Sequence, residues 1–315
     1  MFFKRKIALL LIIASVLVLA FLLTGISSNW DYILPRRGVK ITAIVITGAA
    51  IAFSTVVFQT ITNNRILTPS ILGLDSMYLL VQTLVVFLFG SGSLAMMDSQ
   101  LNYLVSIAAM VVFSFLLFKW LLRKGENVYL LLLVGIILGT FFSSLSSFMQ
   151  VLIDPNEFLI VQDRMFASFN NVNTNLLGIS IVIMIGSLLL YLPYHKYMDV
   201  VALGKDHAVN LGVPYDKIVQ RLLIVTAILI SAATALVGPV TFLGLLVVNL
   251  AHEFLKTFRH NYLFAVSVLF SVIALAGGQL IVERVFTFST TISVLINFIG
   301  GIYFIYLLLR ENKAW

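Results

Sequence analysis

The chain has 315 residues, of which 61% are hydrophobic and 10% are charged, and its formal net charge is +7. Soluble domains carry roughly 45–50% apolar and about 25% charged residues, so this composition argues against a water-soluble enzyme and against a disordered chain. The sequence contains no cysteine, which excludes disulfides, thiolate metal sites and cysteine nucleophiles.

The first segment places Lys4, Arg5 and Lys6 before an apolar stretch over residues 7–24. This pattern resembles a signal peptide. However, no small-x-small cleavage site precedes a polar mature region, and further apolar stretches follow. We therefore predict that the segment is retained as the first membrane helix.

Apolar stretches of about the 20 residues needed to span a membrane recur along the whole chain. We predict membrane helices at residues 7–24, 41–62, 71–90, 101–122, 128–152, 173–193, 217–236, 242–258, 262–281 and 292–310. No connection between them is long enough for a separate soluble domain. The sequence therefore predicts an all-α, polytopic membrane protein with about ten transmembrane helices, forming a single domain over residues 1–315.

Basic residues are distributed unevenly between the two sides of this arrangement. With the N-terminus in the cytoplasm, most of the 20 Lys and Arg residues lie on the inner side, and the outer ones are Arg36, Arg37, Lys40, Arg164 and Arg284. The positive-inside rule expects such a bias. We predict a multi-pass protein of the cytoplasmic membrane with both termini in the cytoplasm. Since no basic run exceeds three residues, nucleic acid is not expected as a partner.

Two polar connections separate predicted spans. Residues 153–172 form an outer connection, part of which is expected to be a short interfacial helix. Residues 194–216 form the longest cytoplasmic connection, in which apolar and polar residues alternate. Gly204 interrupts this pattern and Gly212 ends it, which predicts two short amphipathic helices joined at a glycine.

Ionisable and catalytic groups are scarce within the predicted spans. Apart from Glu253 near the end of the eighth predicted span, Asp75 is the one carboxylate there, and we favour a helix-end acid near the head groups over an ion-coupling carboxylate. No catalytic motif, metal-ligand spacing or Walker A sequence occurs, so we expect no enzyme activity, no metal and no cofactor. The four histidines fall in predicted connections or at span ends: His195, His207, His252 and His260.

Several elements occur in a fixed order along the chain. Ile33-Leu34-Pro35-Arg36 and Arg37 precede the second predicted span, which reads Gly48-Ala-Ala-Ile-Ala-Phe-Ser54 and then Gln59. The segment Asn64-Arg-Ile-Leu-Thr-Pro69-Ser-Ile-Leu-Gly73 follows. Further on are Ala202-Leu-Gly-Lys-Asp-His-Ala-Val-Asn-Leu-Gly-Val-Pro214, Val237-Gly-Pro-Val-Thr-Phe-Leu-Gly-Leu245, and Arg284 before the last span.

Together these elements resemble the iron–siderophore and cobalamin permease family of ABC importers. The resemblance covers most of the chain and is strongest over residues 33–75 and 200–310. The chain departs from the family pattern at Arg65, where the family has proline, and at residues 248–252, where it has Pro-His-x-x-Arg. These departures indicate a divergent branch.

The resemblance implies the type II ABC importer permease fold and alternating access driven by a separate cytoplasmic ATPase. It also implies an extracytoplasmic substrate-binding protein and a second permease subunit, with a heterodimer favoured over a homodimer. The expected substrate is a ferric siderophore, and cobalamin or haem stay open as alternatives. From the residues alone, an ion-coupled secondary carrier and an intramembrane enzyme also stay open, although the scarcity of buried acids weighs against the carrier.

The resemblance also implies roles for individual residues. The residues expected to couple the chain to the ATPase are Leu203, Gly204, His207, Ala208, Leu211 and Gly212. Those expected to dock the binding protein, by charge complementarity, are Arg36, Arg37 and Arg284. Those expected to serve translocation or helix packing are Gln59, Asn64, Pro69, Gly73, Gly238, Pro239 and Gly244.

Overall fold

The computed structural model describes residues 2–25, 29–90, 99–122, 128–170 and 172–311, and these residues form helices and no strand. The α-helices are α1 (Phe2–Leu23), α2 (Trp30–Thr62), α3 (Leu74–Phe89), α4 (Ser99–Leu122), α5 (Val128–Leu152), α6 (Pro155–Arg164), α7 (Thr174–Tyr191), α8 (Met198–Val201), α9 (Lys205–Asn210), α10 (Tyr215–Val237), α11 (Leu243–Leu255), α12 (His260–Arg284) and α13 (Ile292–Glu311). Short 3₁₀ helices occupy Pro69–Leu72 and Leu192–Tyr197.

The predicted all-α membrane architecture is confirmed. Within the described ranges, seven helices are long and apolar enough to cross a membrane, and three shorter apolar helices accompany them. Each of the ten predicted spans coincides with one of these helices. The shorter ones include α3 and α11, which have 16 and 13 residues because glycine and proline interrupt the chain beside them.

The helices alternate in direction between two ends of the bundle, which we call the near end, where α1 begins, and the far end, where α1 ends. At the near end, the Lys6 ammonium donates to the Phe254 carbonyl, which joins the start of α1 to the end of α11. At the far end, Arg37 Nη1 lies 2.9 Å from the Phe21 carbonyl oxygen. The connection from residue 192 to residue 214 lies at the near end.

Helices α2 and α10 form the centre of the bundle. In each, 72% of the apolar window is buried, whereas only 17% of the α1 window is. A Cβ built on Gly48 of α2 would lie 2.8 Å from Ser271 Oγ of α12, and one built on Gly244 of α11 would lie 2.1 Å from Thr55 Oγ1 of α2. Small residues therefore let these helices approach closely, as helix pairs in membranes require.

Helix α2 begins earlier than its sequence predicts. The span was expected from residue 41, after the Ile33–Arg36 element, but the helix runs without interruption from Trp30 and contains Pro35. Its 33 residues extend about 50 Å at 1.5 Å per residue, which exceeds the roughly 30 Å hydrocarbon thickness. Its first turns therefore project beyond the membrane at the far end and carry the Arg36 side chain there.

Two irregular segments interrupt the helices inside the bundle. The first break, residues 63–73, contains two left-handed residues, Asn63 (φ 47°) and Gly73 (φ 83°). The second break, residues 238–242, starts at Gly238 (φ 97°). Since α11 covers only about 20 Å between the second break and the near end, that break lies within the hydrocarbon region. Irregular backbone at such depth is stable only when protein or water covers it.

The connection expected at the outer surface folds back into the bundle. Its first part is helix α6, in agreement with the predicted short helix. The start of α6 lies at the end of α3, where Glu157 Oε1 is 3.2 Å from a Cβ built on Gly90. Its last residue, Arg164, lines two cavities together with Tyr78 in the second turn of α3. Just beyond, Ser168 N donates to the Val237 carbonyl at 2.8 Å. Helix α6 is therefore re-entrant.

Candidate functional site

The near-end loop, residues 192–214, presents two short helices. As predicted, α8 and α9 are joined at Gly204, whose φ of 89° lies in the region that favours glycine. Gly212 (φ 78°) ends α9 in the same way. Both turns therefore depend on glycine, and they set the angle at which α9 projects from the bundle.

Apolar side chains of the near-end loop point away from the bundle. Leu203, Val209 and Leu211 are 56%, 52% and 63% exposed. His207 is also exposed, whereas Ala208 is fully buried against its own chain and cannot contact a partner in this state. Exposed leucines at a polar end of a membrane protein are typical of a protein-binding surface. Val209 belongs to this surface although the sequence did not single it out.

The near-end loop is joined to the membrane helices through His260. Asp199 Oδ1 in α8 lies 2.5 Å from His260 Nδ1 and 3.2 Å from the His260 backbone nitrogen at the start of α12. His260 Nε2 in turn lies 2.9 Å from Thr60 Oγ1 near the end of α2. This chain of contacts, which we call the histidine strut, links the loop to both α2 and α12.

Hydrogen bonds from His260 stabilise the charged form of the Asp199 carboxyl in the strut. Partial burial alone would raise the pKa of the Asp199 carboxyl, but hydrogen bonds from the His260 side chain and backbone outweigh burial and hold that pKa below its ordinary value. The single proton of the Thr60 hydroxyl can be donated either to the Val56 carbonyl at 2.7 Å or to His260 Nε2. Which acceptor it uses depends on the tautomer of the ring, since Nε2 accepts a hydrogen bond in one tautomer and donates in the other.

Polar side chains hold the first break in place. The Gln59 and Asn249 amides donate to the Arg65 carbonyl at 2.6 and 2.8 Å, and Asn64 Oδ1 accepts from Ile66 N at 2.9 Å. Of these residues, Asn249 was missed from the sequence, although an Asn inside an apolar helix is itself a signal for a buried polar contact. These side chains replace hydrogen bonds that a continuous helix would have made.

The predicted glycine and proline positions lie at the two breaks. Pro69 and Pro239 are buried. A Cβ built on Gly73 would lie 2.8 Å from Gly139 Cα, and one built on Gly238 would lie 2.9 Å from Ala167 Cα. At both glycines the backbone of another segment fills the space that a side chain would need.

Asp75 lies deeper than the head-group position expected for it. In the first turn of α3, its two carboxylate oxygens lie 3.4 Å from Thr234 Oγ1 and 3.4 Å from Thr241 Oγ1. Since Thr241 belongs to the second break, Asp75 joins the two breaks inside the membrane region. The first break carries the chain inward before α3 starts, which explains the difference. The position also suits an acid, because a helix N-terminus stabilises negative charge.

The three predicted docking arginines have different surroundings at the far end. Arg37 donates to the carbonyls of Phe21, Leu22 and Thr24, and Arg284 donates to the Thr24 carbonyl at 2.5 Å. Both therefore cap the end of α1. The Arg36 guanidinium instead lies 4.7 Å from the centre of the Tyr32 ring and is exposed. Of the three, Arg36 is the best placed to meet an acidic partner.

Within the described part of the chain, no group of three or more His, Asp or Glu side chains could hold a metal ion. The arrangement thus consists of an exposed apolar surface at the near end, a charged far end, and interrupted helices between them.

Comparison with known sequences identifies relatives over almost the whole chain. The FecCD transport family matches residues 6–310. The petrobactin import system permease protein YclO of Bacillus subtilis is 60% identical over 99% of both chains. FatC of Bacillus anthracis, with the same description, is 39% identical over 91% of this chain and 81% of its own. A second Bacillus subtilis petrobactin permease, YclN, is 28% identical over 87% of this chain and 84% of its own.

Comparison with solved structures identifies the same fold. A metal-chelate type ABC transporter in an inward-facing conformation superposes with a TM-score of 0.85. The two chains share 21% sequence identity over 98% of this chain and 99% of the other.

The histidine strut makes stability pH-dependent. Because the pKa of Asp199 is lowered in the folded state, its stabilisation is complete above the pKa of the unfolded chain and is lost as pH falls through the folded value. We expect Asp199→Asn to lower the melting temperature of the detergent-purified protein by a few degrees at pH 7, and the difference from wild type to shrink below about pH 4. Asp206→Asn, which removes an exposed acid from α9, serves as control. An equal effect of both variants at every pH would contradict the strut.

Proposed function

Because the chain belongs to the FecCD transport family, we propose that it is the permease through which ferric petrobactin crosses the cell membrane. It is a multi-pass permease subunit of an ABC importer for ferric siderophores, and it is not an enzyme. The observation that supports petrobactin in particular is the 60% identity, over 99% of both chains, to a petrobactin permease. Cobalamin and haem are less consistent with that relative.

The second permease of the complex is proposed to be a different chain. Bacillus subtilis has two permeases described as parts of a petrobactin import system, and this chain is 60% identical to YclO but 28% identical to YclN. Such a difference is expected if each importer contains one copy of each type. We infer a heterodimer of this chain with a YclN-like permease.

The near end is proposed to face the cytoplasm, with both chain termini on that side, as the distribution of basic residues favours. The exposed Leu203, Val209 and Leu211 then lie where a cytoplasmic ATPase can bind them. Movement of the near-end loop reaches α2 and α12 through the histidine strut. The far end receives the iron chelate from an extracytoplasmic binding protein, and the helices alternate between outward-open and inward-open states.

The proposed function is tested by reconstituting the chain in liposomes with its partner permease, ATPase and binding protein. We expect ATP-dependent uptake of radioactive iron supplied as ferric petrobactin, and its loss when the Walker A lysine of the ATPase is replaced. Uptake by the permeases alone, driven by an ion gradient, would instead indicate a secondary carrier. Uptake of haem or cobalamin without petrobactin would contradict the proposed substrate.

Gly204 provides a test of the ATPase surface. Gly204→Pro requires a φ near −65° where the chain has 89°, so we expect α9 to be displaced and co-purification of the ATPase to be lost. Membrane insertion should be unchanged, because the residue lies outside the spans. The matched control is Gly301→Ala in α13, where an added Cβ meets no atom within 4 Å. Normal recovery of the ATPase with Gly204→Pro would contradict the assignment.

Variants of Arg36 and Arg37 test two different roles at the far end, docking of the binding protein and stability of the fold. We expect Arg36→Glu to raise the concentration of loaded binding protein needed for half-maximal ATPase stimulation by about tenfold, because an attractive charge becomes repulsive. Arg36→Lys should change it little. Arg37→Gln should instead lower the melting temperature, since Arg37 caps α1. If Arg36→Glu leaves the half-maximal concentration unchanged, Arg36 is not a docking residue.

A further inference from the structure

The re-entrant helix α6 carries a cation into the membrane region. Tyr78, which lines the same cavities as Arg164, lies 11 residues before the far end of α3, or about 16 Å at 1.5 Å per residue. Gly238, which lines the same cavity as Arg164, is separated from the near end by about the 20 Å of α11. Both estimates place Arg164 well inside a hydrocarbon layer about 30 Å thick.

Arg164 is exposed at this depth. The ion pairs among the described residues are Lys40–Glu283, Lys205–Asp216 and His260–Asp199, so Arg164 belongs to none of them. An exposed guanidinium is costly against lipid tails, and such groups face water or protein instead. In an importer with two permeases, the surface along the transport pathway is the one that is in contact with both water and protein.

The surroundings of Arg164 form a polar cavity of about 250 Å³, lined also by Tyr78, Asp163, Ser168 and Gly238. A smaller cavity of about 40 Å³ adjoins it at Tyr78 and Arg164, and is lined by Gln82, Asn102 and Tyr103 among others. Apart from Asp163, these polar side chains are uncharged. Asp163 also lines the cavity. Because it is the neighbouring residue of α6, its side chain leaves the helix about 100° around the axis from that of Arg164.

We propose that Arg164, supported by Tyr78, forms an anion-binding site in the transport pathway that contacts the negatively charged oxygens of the ferric chelate. The proposal rests on the proposed function. Fe³⁺ is a hard cation that prefers anionic oxygen ligands, and a chelator that supplies more than three of them gives a complex with net negative charge. The fork of an arginine matches carboxylate oxygens in geometry. The cavity accommodates one anionic group of the chelate rather than the whole complex.

The site lies where helices are interrupted, as binding sites in other transporters commonly do. Discontinuous helices near the membrane midplane commonly form binding sites, because their interrupted backbone leaves polar groups free to face a cavity. Here the end of α6, the end of α10 and the second break meet at the cavity that Arg164 lines. The proposal places the second permease on the exposed side of this cavity, where it would complete the pathway.

The test uses the complete reconstituted importer and ferric petrobactin. We expect Arg164→Gln to lower iron uptake per ATP hydrolysed by about tenfold, the range of a hydrogen bond to a charged group. ATPase stimulation by the loaded binding protein should stay at the wild-type level, because docking and coupling occur at the two ends of the bundle. Arg164→Lys, which keeps the charge but loses the fork, should give an uptake between those of wild type and Arg164→Gln. Gln162→Ala, the matched control, should equal wild type, because Gln162 is an exposed residue of α6 that lines neither cavity.

Tyr78→Phe distinguishes a role of Arg164 in binding an anion from a purely structural role in linking α6 to α3. It removes the Tyr78 hydroxyl from the cavity wall but keeps the cation, so uptake should fall less than in Arg164→Gln. An equal loss in both variants would indicate a structural role and overturn the proposal. Wild-type uptake per ATP in Arg164→Gln would also overturn it. A wild-type importer that takes up no ferric petrobactin would contradict the proposed substrate itself, which distinguishes the two failures.

Discussion

The structure depends on the requirement that every backbone polar group inside a bilayer has a partner within the protein. Uninterrupted helices satisfy it alone, but this chain breaks its helices at residues 63–73 and 238–242. The Gln59 and Asn249 amides at the Arg65 carbonyl and the close approach of Gly73 to Gly139 stabilise the first break. At the second break, the backbone of Gly238 packs against that of Ala167. Asp75 then joins one break to the other.

These breaks place polar groups where a transporter needs them without exposing backbone to lipid. The second break lies beside the end of α6, and the first break leads directly to α3. At the near end, the histidine strut ties the loop to the two helices that flank this region. A rigid connection of this kind allows a displacement at the surface to reach the interrupted helices as a movement of whole elements rather than as local bending.

The sequence predicted the features that depend on local composition. Hydropathy located the spans, and Gly204 and Gly212 located the short helices of the near-end loop. It did not predict that α6 folds inward, because a polar decapeptide such as Pro155–Arg164 has the composition of a surface segment and its depth is set by contacts with α3. Nor could it distinguish Arg36 from Arg37, or Leu211 from Ala208, because neighbouring residues of similar type differ only in their tertiary partners.

The attachment of α1 has a consequence for how the protein is made. Lys6 contacts a carbonyl 248 residues later, and Thr24 accepts a bond from a side chain 260 residues later. While the ribosome is still translating, α1 must therefore remain in the bilayer without the helix against which it finally packs. Among the seven long helices of the described ranges, α1 is the most apolar and the least buried. Its apolar composition suits that interval, because lipid covers the face that later packs against α12 until α12 has been inserted.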